Sequence, residues 1–170
     1  KQAKELGFRL TAHAGEKAGA KSIWAVIQKL GVERIGHGVR AIEDPKLITV
    51  LRESQIPLEI CVLSNVKTGV CQSIETHPIR TYFEQGLMLT INSDDPTMFK
   101  TSINKEYKLL VQKLGFNLLN LKQLSLNGVI ASFMPYKDKR IMIEIFEKEW
   151  EQLISFCQKK KQTACAVANC

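Results

Sequence analysis

Three short segments carry side chains able to move protons or hold a metal. The first is Thr11-Ala12-His13-Ala14-Gly15-Glu16, where a carboxylate follows an imidazole by three residues. A His closing a β-prone run, with Glu where the chain turns toward a helix, places both groups in one cleft. A satisfied core histidine is the alternative. Gly15 and the charge on Glu16 weigh against it, because a carboxylate at the end of a buried strand needs a partner. The second segment is Gly36-His37-Gly38. Glycines on both sides let a ligand approach the imidazole closely, although the same residues also suit a tight turn. The third is Ser93-Asp94-Asp95-Pro96. Adjacent carboxylates after an apolar run repel and desolvate poorly unless a cation or proton neutralises one. Such an Asp either binds metal while its neighbour meets a substrate nitrogen, or caps the next helix. His77-Pro78 reads as a helix start and nothing more.

Taken together, His13 and Asp94 offer one nitrogen and one oxygen to a metal, with His37 and Glu16 left for proton transfer. A hydrolytic zinc takes at least three protein ligands and keeps one position open. The set within this chain is therefore incomplete. The H-x-E and P-C-x-x-C signature of the zinc base deaminases is absent.

The elements that must position these residues follow a repeating pattern. Amphipathic stretches end in Gly7, Gly31 and Gly86, and β-prone runs follow over 8–13, 32–37 and 87–92. Glycine just past a helix tolerates the left-handed turn that ends it. A fourth β-run, 56–63, enters through Pro57. Helix-period segments lie between the runs: 18–30 with Ile23, Val26, Ile27 and Leu30 on one face, 45–53, and 78–85. This βαβαβαβ order requires a parallel sheet. Each run ends in a polar group: His13, His37 after 24 residues, Ser64-Asn65 after 27 and Asp94 after 30. Ligands of parallel α/β folds bind at the carboxyl ends of strands, so four such ends converge on one site. A doubly wound sheet has no phosphate-binding glycine loop here to support it. Beyond the last run the pattern is helical over 101–114, 120–133 and 137–156, with Ile141, Ile145 and Trp150 expected on a core-facing stripe. Residues 159–170 have little periodicity and stay unassigned.

Composition narrows the function classes. The 170 residues are 45% hydrophobic and 24% charged, the profile of a globular protein with one real core. No apolar run spans a bilayer, so no membrane partner is expected. Lys1 in place of Met predicts an internal piece or a processed product. The net charge of +7 is dispersed and lacks interleaved aromatics, which argues against a nucleic-acid partner. Five cysteines without C-x-x-C spacing suggest neither a zinc knuckle nor a disulfide framework, and a reducing, cytoplasmic setting is expected.

The set T-A-H-A-G-E, R-I-G-H-G, L-S-N-V-K-T, H-P-I-R and N-S-D-D-P, in this order and spacing, resembles the adenosine deaminase family. The segment from Asp95 through Ser102, with Glu106-Tyr107 beyond, is similar too. The resemblance implies an α/β fold, the C-terminal half (about strands five to eight) of a TIM (β/α)8 barrel followed by helices, over residues 1–158. It implies Zn2+ held by His13 and Asp94, with two further His ligands from an H-x-H pair that this sequence lacks. Glu16 is then the acid that protonates the purine N1, and His37 the group that orients the attacking water and takes its proton. Asp95 holds the purine N7, and Gly15 lies beside the base. The partner implied is a purine nucleoside, adenosine or 2'-deoxyadenosine, converted to inosine or its deoxy counterpart with release of ammonia. Adenine and N6-methyl-AMP are alternative substrates, and an inactive truncated relic is the alternative outside enzymes. Val62 stands where the family usually has Pro. With two ligands absent, the isolated chain is expected to be inactive.

Overall fold

The computed structural model describes residues 2–168, with side chains through 159. By packing the chain divides into two compact units, Lys1–Asn117 and Leu118–Cys170.

The first unit holds four short strands, β1 Thr11–Ala14, β2 Arg34–His37, β3 Leu58–Ile60 and β4 Leu89–Ile91, all parallel in the order β1-β2-β3-β4. Its helices are α1 Gln2–Glu5, α2 Ala20–Ala25, α3 Pro45–Ser54, α4 Val62–Lys67, α5 Ile79–Glu84 and α6 Ile103–Leu114. Four parallel strands with crossover helices form half of a TIM barrel, as expected.

Alternation along the strands sorts their side chains onto two faces. Ile35, Leu58, Ile60, Leu89 and Ile91 share the apolar face, register-matched as Ile35↔Leu58↔Leu89 and Ile60↔Ile91, and all are buried. Ile23, Leu47, Leu51, Ile79 and Leu110 from the helices are buried with them. Each such side chain contributes about 1.5–3 kcal/mol when withdrawn from water. The other face is polar: Arg34 pairs with Glu59 at 3.0 Å, and Thr11 Oγ1 donates to Glu59 at 3.3 Å.

Local chemistry sets the element ends. Asp44 caps α3 by accepting from the Lys46 and Leu47 amides, with Pro45 at the first helical position. Ser102 caps α6, which ends at Gly115. Two expectations are corrected. The segment 18–30 is α2 followed by a wider π turn, Val26–Leu30, rather than one α-helix. The run 56–63 stops pairing at Ile60, and the chain re-enters helix at Val62, so Ser64 and Asn65 lie in α4 rather than at a bare strand end.

The second unit is a pair of helices, α7 Leu118–Ala131 and α8 Tyr136–Ala168, which pack on each other. The Trp150 indole donates to Ser125 Oγ at 2.7 Å. Ile141 and Ile145 are 50% and 48% exposed, so the stripe expected to face a core is half in solvent. The helix also continues through 159–168, where periodicity gave no assignment; Asn169 and Cys170 lie outside the described residues.

Candidate active site

The carboxyl ends of the strands are tied together before any site residue is placed. The Gly38 amide donates to Ala14 O at 2.9 Å and the Arg40 amide to Gly15 O at 2.8 Å. Gly15 has φ +65°, and a Cβ there would fall 2.3 Å from Ile23 Cδ1, so the turn after β1 closes only with glycine. His13 pairs in register with Gly36, where a Cβ would come within 3.1 Å of the His13 ring. The missing side chain lets that ring lie across β2, its centroid 5.1 Å from that of His37.

Two site residues hold left-handed backbone without being glycine: His37 at φ 64° and Asp94 at φ 57°. Such conformations cost on the order of 1–3 kcal/mol and persist where the surroundings over-determine them. Here they aim both side chains into one cleft. His37 Nε2 lies 3.8 Å from Glu16 Oε2 and 3.9 Å from Asp94 Oδ2. Ser64 Oγ donates to the same Asp94 oxygen at 2.7 Å. A cavity of about 390 Å³ is lined by His13, His37, Glu59, Cys61 and Asp94 among others, while Glu16 lines a larger one of about 1170 Å³.

Behind His37 the cleft gives way to a buried polar chain. His37 Nδ1 is 3.0 Å from Asn65 Nδ2, and Asn65 Oδ1 is 3.1 Å from His77 Nε2. The Ile79 amide donates to His77 Nδ1 at 3.1 Å. Burial pushes the His77 imidazole down to about 4. Burial also lowers His37, with Glu16 and Asp94 pulling the other way. The helix that carries Ser64 and Asn65 is held at its start by Glu106. Fully buried, that carboxylate accepts from the Leu63 amide at 3.2 Å and from Thr101 Oγ1 at 2.8 Å, and burial raises its pKa.

Of the six residues singled out from sequence, His13, Glu16, His37 and Asp94 meet around this cleft. Gly15 is buried in the turn beside it. Asp95 is exposed, and its Oδ1 accepts from the Met98 amide at 2.7 Å, closing a turn. Sequence reasoning missed Asn65 and His77. The sequence pattern groups Asn65 with a strand end and makes His77 a helix start. The latter reading holds for one ring nitrogen, which caps the start of α5; the other nitrogen faces Asn65. A buried His beside Pro gave no sign of which polar group it would meet across twelve residues.

The donor types fit a zinc ion. An imidazole and a carboxylate, His13 and Asp94, line one cavity, and the ligand atoms of His37, Cys61 and Asp94 lie within 4.8 Å of one another. Burial pushes the Cys61 thiol up to about 12, with Asp94 adding to the effect.

The chain is 42% identical over 148 residues to an adenosine deaminase of Aliivibrio fischeri, which covers 87% of this chain and 44% of that protein. Among solved structures, it resembles the adenine deaminase of Arthrobacter aurescens, with a TM-score of 0.85, 34% identity, and coverage of 89% of this chain and 46% of that one. An amidohydrolase of Burkholderia ambifaria with bound Zn gives a TM-score of 0.83 at 26% identity, covering 90% and 43%. The N6-methyl-AMP deaminase of Arabidopsis thaliana gives 0.76 at 30% identity, covering 86% and 43%. The chain thus spans under half the length of these relatives. Residues 1–149 match the family described as adenosine deaminase, and the chain belongs to that family.

Proposed function

We propose that these residues serve a zinc-dependent hydrolytic deamination of adenosine and 2'-deoxyadenosine, releasing ammonia and leaving inosine or its deoxy counterpart. The observation that carries this reading is the convergence of Glu16, His37 and Asp94, with His37 Nε2 within 4 Å of both carboxylates. His13 and Asp94 are the ligands this chain offers to zinc, to be completed by two histidines it does not contain. When bound, zinc makes a water acidic enough to act as a nucleophile near neutral pH. Glu16 supplies a proton to the purine N1 and so prepares C6 for attack. His37, whose Nε2 lies within 4 Å of both carboxylates, orients the water, and Ser64 holds Asp94 in place. Asp95 binds the purine N7, and Gly15, lacking a side chain, lets the base lie against the turn.

A second reading keeps the chemistry and changes the substrate to adenine or N6-methyl-AMP. Similarity to the Arthrobacter and Arabidopsis enzymes supports it. Cytoplasmic residence belongs to the same proposal. It is supported by the free thiols of Cys61, Cys71 and Cys157 and by the absence, among the described residues, of a helix long and apolar enough to cross a membrane.

The test has two arms. The 170-residue chain alone, given zinc, is expected to bind the ion below one equivalent and leave adenosine unchanged, because two ligands are not enough. The same chain combined with a polypeptide carrying an H-x-H strand is expected to deaminate one of adenosine, adenine, AMP or N6-methyl-AMP. Full zinc occupancy and turnover by the chain alone would overturn the ligand set. Failure of the completed protein on all four substrates would leave the inactive relic as the better account.

A further inference from the structure

We infer that His77, acting through Asn65, fixes the tautomer and orientation of His37, so that His37 presents Nε2–H to the cleft as a hydrogen-bond donor. His77 and Asn65 are then positioning residues; their consequence for catalysis rests on the deaminase reading, whereas the proton arrangement itself does not.

One group in this relay can act in only one direction. The Ile79 backbone amide can only donate, and it lies 3.1 Å from His77 Nδ1. Nδ1 must therefore be the bare nitrogen of that ring, which leaves the single proton of a neutral imidazole on Nε2. That Nε2–H needs an acceptor, and the atom it meets at 3.1 Å is Asn65 Oδ1. With its oxygen committed, the Asn65 amide turns its NH2 toward His37 Nδ1 at 3.0 Å. A donor at that position requires His37 Nδ1 to accept, so the proton of neutral His37 resides on Nε2. This is the nitrogen 3.8 Å from Glu16 Oε2 and 3.9 Å from Asp94 Oδ2.

Nothing in the chain is loose enough to reverse it. Asn65 is fully buried, and its main chain is tied on both sides, the Asn65 amide to Cys61 O at 2.9 Å and its carbonyl to the Cys71 amide at 2.9 Å. His37 and His77 are each 3% exposed. Reversing any link would leave a buried donor facing a donor, which disfavours the reversed tautomer by about fivefold to a hundredfold.

The consequence bears on what His37 does. With Nε2 already protonated, the neutral ring donates to an oxygen between the two carboxylates and orients its lone pairs. It does not, in this state, take that oxygen's proton, the role the family resemblance implied.

Long-range proton–nitrogen NMR of the chain carrying 15N-labelled histidine, at neutral pH with neither zinc nor substrate, reads the proton on each ring nitrogen. The expected spectrum shows Nε2–H with bare Nδ1 for both His77 and His37. Asn65→Asp replaces the amide donor with an acceptor and is expected to move the His37 proton to Nδ1, while His77 keeps its own. His77→Phe is expected to leave His37 as a mixture of tautomers. A role confined to capping α5 predicts no change at His37 in either variant, and that result would overturn the inference. So would Nδ1–H on His37 in the unaltered chain, a reading that stands even if both variants fail to fold. Since no turnover is measured, a correct tautomer in a protein that deaminates nothing would sink the enzyme reading alone.

Discussion

The two faces of the sheet behave differently. On one, Ile35, Leu58, Ile60, Leu89 and Ile91 are buried as the register stacks them from strand to strand. On the other, Thr11, His13, Arg34 and Glu59 are exposed or partly so, and their contacts are polar. Parallel sheets are ordinarily covered on both faces and read as continuous apolar runs. These strands alternate because one face supports and the other forms the floor of a site. His37 stands where the two meet, with one ring nitrogen toward the buried side and the other in the cleft. Stability should therefore reside on one face and chemistry on the other, and substitutions on each can break that division.

The largest effect is expected from Leu58→Ala on the apolar face. Leu58 is fully buried and packs closely enough on Gly38 that a Cβ there would meet it at 2.6 Å. Truncation leaves a cavity beneath the loop that follows His37 and should cost about 3–4 kcal/mol. Denaturant unfolding followed by Trp24 fluorescence, in a Trp150→Phe background, reports on the first unit. Trp24 is anchored there by donating to Asp44 Oδ2 at 2.8 Å. A loss below about 1 kcal/mol would place the stabilising contacts elsewhere.

A similar magnitude is expected from pH, through the buried histidine behind the cleft. The His77 imidazole is at about 4 in the folded chain, against an ordinary value of 6.5. The unfolded chain thus binds the extra proton first. Stability is fully present above about pH 6.5, declines as pH falls, and has lost up to about 3 kcal/mol once pH reaches about 4. His37, also lowered by burial, adds in the same direction. His77→Gln should flatten the slope between these limits. An unchanged slope would show that this histidine is not held neutral by its surroundings.

Those two effects also mark what the sequence made legible. Gly7, Gly31 and Gly86 announced the helix ends, and the alternation of β-runs with helical segments announced the parallel sheet, because both follow from local backbone preferences. His13, Glu16, His37 and Asp94 were visible as charged or titratable groups at strand ends. Asn65 and His77 were not, since their meaning depends on which side chain faces which across α4 and α5. The exposed Ile141 and Ile145 misled for the opposite reason: helical spacing marks an apolar stripe but does not say what, if anything, covers it.

On the polar face the expected changes are smaller. Glu59→Gln removes the charge opposite Arg34 and weakens the bond from Thr11. The two side chains of the ion pair are 21% and 26% exposed, so water screens part of their attraction. Unfolding should lose about 1 kcal/mol. A loss equal to that of Leu58→Ala would mean that the polar face is as structural as the apolar one.

The smallest expected change in stability comes from His13→Ala, and it sharpens the comparison most. His13 sits on β1, at the edge of the sheet, with its ring exposed and in contact with the ring of His37. Removing it uncovers little apolar surface, so unfolding should shift by no more than about 0.5 kcal/mol. Zinc uptake should respond in the opposite sense. If His13 and Asp94 are the ligands this chain contributes, His13→Ala lowers the measured zinc affinity by about tenfold or more, whereas Cys61→Ala leaves it nearly unchanged. A destabilised His13→Ala with unaltered zinc uptake would identify His13 as a structural residue. Loss of zinc only in Cys61→Ala would instead favour the His37, Cys61 and Asp94 triplet as the metal site, and the functional face of the sheet would have to be redrawn around β3.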